Sequence, residues 1–194
     1  HDPGIIAAEG ARDTLAGRIT ISVKKRDPLA FMRRNSEAYD AVLQLIPPPA
    51  TLSVNRYFTI EYFRAVKEHL SPGGLFLCTP MPYYNYSPES YYKGFSPVYN
   101  ALSEVFGHVV LIPGSVLYVI ASDSPLSDSI SVLAGRSGIQ NSYVNGDYIN
   151  DDESRRRSGQ IFGQVDRTAV YNYATRPVSS WFTYMLSLES IGTA

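Results

Sequence analysis

The sequence predicts an α/β domain: a mostly parallel sheet covered by helices, with an antiparallel closing strand. Three observations carry this. Segments of helical period alternate with short apolar runs of strand length from Ile19 to Ala121, the order that builds parallel sheets with crossover helices. Asp27-Pro28 and Thr59 stand where helices should start, because a short polar side chain can cap the first free N–H groups. Pro113-Gly114 separates two apolar runs, which is a hairpin signal.

In chain order, Asp2-Pro3 predicts a helix start, with Asp2 as cap, an apolar stripe through Ile5, Ala8 and Ala11 to Leu15, and a stop at Gly17. Ile19 to Val23 alternates as a short strand. Asp27 caps a second helix with Phe31 and Met32 inward. Ala41 to Ile46 reads as a strand. Thr59 caps a helix over Ile60 to Leu70 with Phe63, Val66 and Leu70 inward, and Ser71-Pro72-Gly73-Gly74 ends it. Leu75 to Cys78 is a buried strand. Val98, Leu102 and Val105 form a helix stripe. Gly94, Ser96 and Pro97 break the helix, so the preceding stretch reads as an insertion. Val109 to Ile112 and Val116 to Ala121 are the hairpin strands, the second closing the end of the sheet.

From Asp123 the character changes. Asp123 to Gly138 is rich in Ser, Asp and Gly, and 151–163 holds three acids followed by Arg155, Arg156 and Arg157. This reads as a solvated, mobile segment with the arginines on the surface rather than clamping phosphate. The expected division is a domain over 1–122 and a partly mobile extension over 123–194.

Composition narrows the function. The chain has 194 residues, 44% hydrophobic and 18% charged, enough apolar material for one core. A net charge of −1 gives no footprint for nucleic acid or acidic lipid. The lone Cys78 sits in an apolar run and reads as a buried, inert thiol. His1, His69 and His108 show no metal-ligand spacing, and no metal is expected. No run reaches the ~20 apolar residues of a membrane span, and there is no signal peptide.

The stretch Tyr39 to Phe63 has the layout of a ligand site: a strand, a Pro-rich loop, then helix. Ligands of open α/β sheets bind beyond the carboxyl ends of strands. Yet no acid occurs from Leu43 to Ile60, so the loop offers no proton acceptor. The chain also lacks any G-x-G, the turn that cradles a nucleotide or cofactor. Tyr83, Tyr84, Tyr86, Tyr91 and Tyr92 follow the next strand. They suit a pocket wall that holds a cation by ring face, or an interface, and both readings stand open.

Three segments resemble the spermidine synthase (polyamine aminopropyltransferase) family, in particular its membrane-embedded fused members. His1-Asp2-Pro3-Gly4-Ile5-Ile6 is similar to E-x-D-P-x-[IV]. Arg26-Asp27-Pro28-Leu29-Ala30-Phe31 is similar to G-D-[AP]-x-x-F. Tyr39-Asp40 through Asn55-Arg56-Tyr57-Phe58-Thr59 is similar to Y-D-x-I-x-x-D-x-x-D-P-x-T-L-S-x-N-R-x-[YF]-[ST]. A weaker echo, Asn172 to Val178, resembles the fused members' N-x-D-x-R-P-V, which leads into their membrane portion.

The resemblance implies a Rossmann-like fold of the S-adenosylmethionine-dependent methyltransferase type, here truncated at its amino end. It implies that Asp2 and Asp27 belong to the cofactor site, with Asp27 at the adenine amino group, although Asp before Pro is equally a helix cap. Asn55, Tyr83 and Tyr84 would line the substrate pocket. The two family acids of the D-x-x-D loop read Leu45 and Pro48, and the tail acid reads Ala174. Asp40 aligns with a strand-opening aspartate of structural role.

The expectation is a transferase-type domain of a larger membrane protein, on its cytoplasmic side, with aminopropyl transfer impaired. It binds no cofactor by itself, while decarboxylated S-adenosylmethionine or S-adenosylmethionine suits the longer protein. The expected partners are further copies of itself and the parent's transmembrane portion, with no nucleic acid. Two alternatives are a non-catalytic scaffold or adenosyl-sensing domain, and a methyltransferase acting on a neutral substrate.

Overall fold

A computed structural model of the chain describes residues 24–84, 86–139 and 142–191. The expected helix over 3–15 and strand over 19–23 lie outside the described residues. The chain forms two compact units, His1–Asn35 and Ser36–Ala194.

In the first unit, helix α1 (Pro28–Met32) begins as the sequence predicts. Asp27 Oδ1 accepts from Ala30 N at 3.0 Å, and Pro28 occupies the first turn. Met32 is buried, and Lys24 Nζ lies 4.7 Å from the centre of the Phe31 ring.

The second unit is α/β. Its strands β1 (Tyr39–Gln44), β2 (Leu70–Pro82), β3 (His108–Pro113) and β4 (Val116–Ser122) form a sheet in the order β1-β2-β4-β3. β1 and β2 are parallel, and β4 is antiparallel to both β2 and β3, so β3 runs with β1 and β2. The hairpin at Pro113-Gly114 is present, Gly114 N donating to Val116 O at 3.0 Å. The antiparallel strand, however, does not close the end of the sheet. It inserts between β2 and β3. The reason is burial: Leu117, Val119 and Ala121 of β4 are wholly buried, whereas β3 begins at exposed His108 and ends at Pro113, residues suited to an edge.

Register places Gln44, Cys78, Val119 and Leu111 in one row across the sheet, and Leu43, Leu77, Ile120 and Val110 in the neighbouring row on the other face. The first row shares its face with Phe76, which packs under helix α3 (Ile60–Glu68) at 5.7 Å from the Phe63 ring and stacks on Phe106 at 6.1 Å. Burial pushes the Cys78 thiol pKa far up, in keeping with an inert core thiol. On the second face Leu43 is 61% exposed.

Thr59 caps α3, accepting from Tyr62 N at 3.3 Å, and Phe63 and Val66 face inward. Leu70 does not belong to this helix. α3 stops at Glu68, and Leu70 opens β2 opposite Tyr39. Pairing resumes at Ala41 with Leu75, so Asp40 faces the four residues Ser71 to Gly74. The Ser-Pro-Gly-Gly stretch thus forms a bulge inside the strand, with Gly73 in the left-handed region at φ 79°.

Helix α4 (Glu89–Val105) runs unbroken through Gly94, Ser96 and Pro97 and takes Tyr91 and Tyr92 into its first turns, so the predicted break and insertion are absent. These residues serve as docking points instead. A Cβ on Gly94 would meet Thr183 Oγ1 at 3.3 Å, so its absence lets helix α7 (Val178–Ile191) approach. Ser96 Oγ accepts from Asp166 N at 3.0 Å, and Pro97 O accepts from Asn172 N at 3.1 Å.

Beyond β4 the chain forms α5 (Ile130–Ser137) and α6 (Asp151–Phe162) before α7. The acid and arginine stretch given no element by its composition is helix α6. Asn150 caps it, its Oδ1 accepting from Glu153 N at 3.0 Å, and three acids occupy the first turn, where the helix dipole favours them. Arg155 pairs with Asp128 and Asp152, and Arg156 and Arg157 share Glu153, whose carboxyl they hold down to about 2. The arginines are surface groups engaged by carboxylates.

Candidate functional site

The carboxyl ends of β1 and β2 lie side by side, because the strands are parallel neighbours. β1 hands the chain to the proline loop at Gln44. Leu45 is 68% exposed, Pro48 half-buried and Pro49 buried. Ala50 N donates to Pro48 O at 2.7 Å, which closes a tight turn. Thr51 then caps the short helix α2 (Leu52–Asn55), its Oγ1 accepting from Val54 N at 3.4 Å, and a 3-10 turn (Arg56–Phe58) leads to α3. The first carboxylate after the loop, Glu61, accepts from Ala174 N at 3.1 Å and so holds the tail. The groups the loop itself offers are hydroxyls and backbone amides. They can donate hydrogen bonds, but they do not take a proton from an ammonium group.

Tyr83 and Tyr84 follow β2. Tyr83 is half-buried and hydrogen-bonds to Arg157 of α6. Tyr84 is 41% exposed and meets the Tyr91 ring edge-on at 6.3 Å. Tyr91 is buried, its hydroxyl has no partner among the described residues, and burial pushes that hydroxyl's pKa up. Asn55 is 1% exposed, and its Oδ1 accepts from Asn172 Nδ2 at 2.9 Å. Asp2 lies outside the described residues. Asp27 caps α1 within the amino-terminal unit, where its Oδ1 is committed to Ala30 N. Among the described residues no cluster of His, Cys, Asp and Glu could hold a metal ion, and no helix is long and apolar enough to cross a membrane.

Three buried side chains have a structural part that the sequence reading did not foresee. Asn172 is wholly buried and joins four segments. Its Nδ2 donates to Asn55 Oδ1 and Phe58 O, both at 2.9 Å, its Oδ1 accepts from Ser179 N at 3.2 Å, and its carbonyl accepts from Ile60 N at 2.9 Å. The two motif asparagines, far apart in the chain, are thus bonded to each other. Asn100 likewise donates to Asp166 O and Ala169 O, both at 2.9 Å. Gln44 is 6% exposed, and neither amide atom has a partner among the described residues. A glutamine inside the run YDAVLQLI was the available signal.

An unsatisfied buried amide costs about 1–3 kcal/mol. Gln44→Leu, of similar volume and opposite Cys78 in an apolar row, is therefore expected to raise the unfolding free energy by about that amount in urea titrations at unchanged m-value. A loss of stability would mean that Gln44 has a hydrogen-bonding partner.

No family model matches the chain. Over 54 residues, 28% of this chain, the sequence is 37% identical to a polyamine aminopropyltransferase of Oceanobacillus iheyensis, and the match spans only 10% of that protein. Among solved structures, a probable spermidine synthase from Corynebacterium glutamicum is similar with a TM-score of 0.45 and 19% identity, over 77% of this chain and 55% of that one. The chain thus spans a tenth of the one and little more than half of the other. The sequence likeness points to the spermidine synthase, or polyamine aminopropyltransferase, family.

Proposed function

We propose that this chain is part of a spermidine-synthase-type aminopropyltransferase domain whose transfer chemistry is lost. The reading rests on one observation: the loop at the carboxyl end of β1 presents Leu45 and Pro48 where the resemblance implies carboxylates, and no acid lies between Leu43 and Ile60. In aminopropyl transfer a neutral amine attacks the carbon next to a sulfonium. A carboxylate at the loop takes the amine's proton and steers the cationic diamine. Hydroxyls and prolines do neither. The parent is a membrane-associated protein of the fused type, with this domain on the cytoplasmic side and the tail after Asn172 leading toward its membrane portion. The test is a transfer assay of the full-length protein, in a form that binds the S-adenosyl ligand, with decarboxylated S-adenosylmethionine and putrescine. The expected result is no product above the uncatalysed rate, and turnover would overturn the reading.

The chain carries no glycine turn, and Asp27 offers one or two hydrogen bonds worth ~0.5–1.5 kcal/mol each. Isothermal calorimetry of residues 1–194 with S-adenosylmethionine is therefore expected to show no binding at micromolar concentrations. A micromolar dissociation constant would contradict this.

Among the described residues β1 is an edge strand, and Leu43 on its open face and Leu45 just beyond its end are 61% and 68% exposed. An unpaired apolar edge is a template for another chain. We expect the mass measured by light scattering to rise with concentration, and Leu43→Lys to hold the protein monomeric. A wild type that stays monomeric at high concentration would count against this edge.

A further inference from the structure

We propose that the cavity between α4, α7 and the 164–170 loop binds a small organic monocation with an apolar body, its ammonium group beside Asp166. The cavity has a volume of about 560 Å³, within the ~300–1,000 Å³ usual for small-molecule sites. Its walls are held in place by buried contacts. Ser96 and Asn100, one turn apart on α4, are 1% and 6% exposed. Ser96 Oγ accepts from Asp166 N at 3.0 Å, and Asn100 Nδ2 donates to Asp166 O and Ala169 O, both at 2.9 Å. α7 comes close to α4 because Gly94 has no side chain: a Cβ there would meet Thr183 Oγ1 at 3.3 Å and Phe182 Cβ at 3.4 Å. Ser179 and Thr183 of α7 are accordingly 0% and 4% exposed, and Trp181 stands outward at 63%. A site whose walls are already fixed loses little further freedom on binding.

The lining selects the charge. Pro97, Ala169, Val170, Val178 and Phe182 give the cavity an apolar wall, and its charged residues are Glu89, Lys93 and Asp166. Lys93 Nζ is paired with Glu89 Oε1 at 2.9 Å, so these two cancel. Asp166, exposed at the rim, forms no ion pair among the described residues. Its Oδ1 accepts from Thr168 N at 2.8 Å and from Thr168 Oγ1 at 2.7 Å, and these bonds hold its carboxyl below the usual range, so it is ionised at neutral pH. The neighbouring Arg167 does not neutralise it. Its guanidinium lies 4.6 Å from the centre of the Tyr99 ring and 4.4 Å from that of Phe162, and neither ring lines the cavity.

One uncompensated carboxylate beside an apolar wall matches a ligand with one positive charge and an apolar body. The half-buried rings of Tyr92 and Phe182 add faces that attract an ammonium group. An anion would meet two acids against one lysine. A diamine would press its second ammonium group on the apolar wall, where it loses water and finds no counter-charge. The cavity shares no residue with the loop after β1, so its occupancy is independent of aminopropyl transfer and of the reading of that loop.

Phenethylamine, a single ammonium group on an aromatic body, is the probe. Isothermal calorimetry with the full chain is expected to show saturable binding with a dissociation constant of about 1 mM or tighter. Asp166→Asn keeps an acceptor for Thr168 and removes the charge, and it should weaken binding at least about tenfold, because a charge-assisted bond is lost. Val170→Lys, at a position 41% exposed, sets a positive charge on the wall and should weaken binding as much. Both positions are exposed, so circular dichroism should be unchanged. Absence of saturable phenethylamine binding overturns the proposal, as does binding unaltered by either substitution. Phenylacetate, an anion of similar shape, binding as tightly would mean that the cavity reads apolar area alone and overturns it. Putrescine binding more tightly than phenethylamine assigns the cavity to a diamine and overturns it too.

Discussion

Leu45→Asp combined with Pro48→Asp is expected to raise aminopropyl transfer to putrescine by ~10²–10⁴-fold over the wild type, the range typical of general-base assistance. The comparison belongs in a form of the protein that binds the S-adenosyl ligand. The substrate amine is protonated at neutral pH, so it cannot attack until a base removes its proton. The loop beyond β1 supplies none, because its side chains are aliphatic, proline or hydroxyl-bearing. The positions can accept the acids. Leu45 is 68% exposed, so a carboxylate there stays hydrated and is not buried unpaired. Pro48 contributes its carbonyl to the turn closed by Ala50 N, and aspartate keeps that carbonyl and is at home in turns. Product formation by stopped-flow or chromatographic assay decides the matter. Robust turnover by the wild type would mean that an acid elsewhere in the fold serves the amine. A silent double variant would mean that the loss extends beyond these two positions.

Asn172→Ala is expected to cost about 3–5 kcal/mol of unfolding free energy, a large fraction of the ~5–15 kcal/mol typical of a domain. The substitution strands Asn55 Oδ1, Phe58 O and Ser179 N in the interior. Each unsatisfied buried group costs about 1–3 kcal/mol, and the terms do not add fully because the site relaxes. Asn55→Ala removes only one of these bonds and should cost about 1–2 kcal/mol. Urea unfolding of the two single variants and the double variant forms a cycle. The double should be less destabilised than the sum, because both substitutions delete the same bond. Strict additivity, or a loss below about 1 kcal/mol for Asn172→Ala, would remove the asparagine bridge as the link between the tail and the loop.

What could be read from the sequence was mostly what neighbouring residues decide. Asp27 and Thr59 cap their helices because each accepts from an N–H three residues on. Pro113-Gly114 turns the chain because the turn needs nothing beyond its own residues and the flanking strands. The sequence reading of helices failed where tertiary contacts outweighed local preference. Gly94, Ser96 and Pro97 ought to interrupt α4. Instead each is used by another segment: α7 packs on the glycine, Asp166 donates to the serine, and Asn172 donates to the carbonyl of the proline. Asn55 was legible as a motif residue, but its burial against Asn172 depends on a partner 117 positions away.

By itself the sequence determined the α/β order of elements in the second unit, the helix starts, the hairpin and the absence of acids from the loop after β1. These follow from period, capping and residue type, which act over a few residues. Only the tertiary structure decided that β4 inserts beside β2, that the proline-containing helix runs straight through, and that α7 turns its polar side inward and its tryptophan outward. Each of these depends on which surfaces meet. Two hairpin strands compete for one place beside β2, and the more deeply apolar takes it. A helix keeps its small polar side chains inside when a glycine on its neighbour lets the two backbones come close.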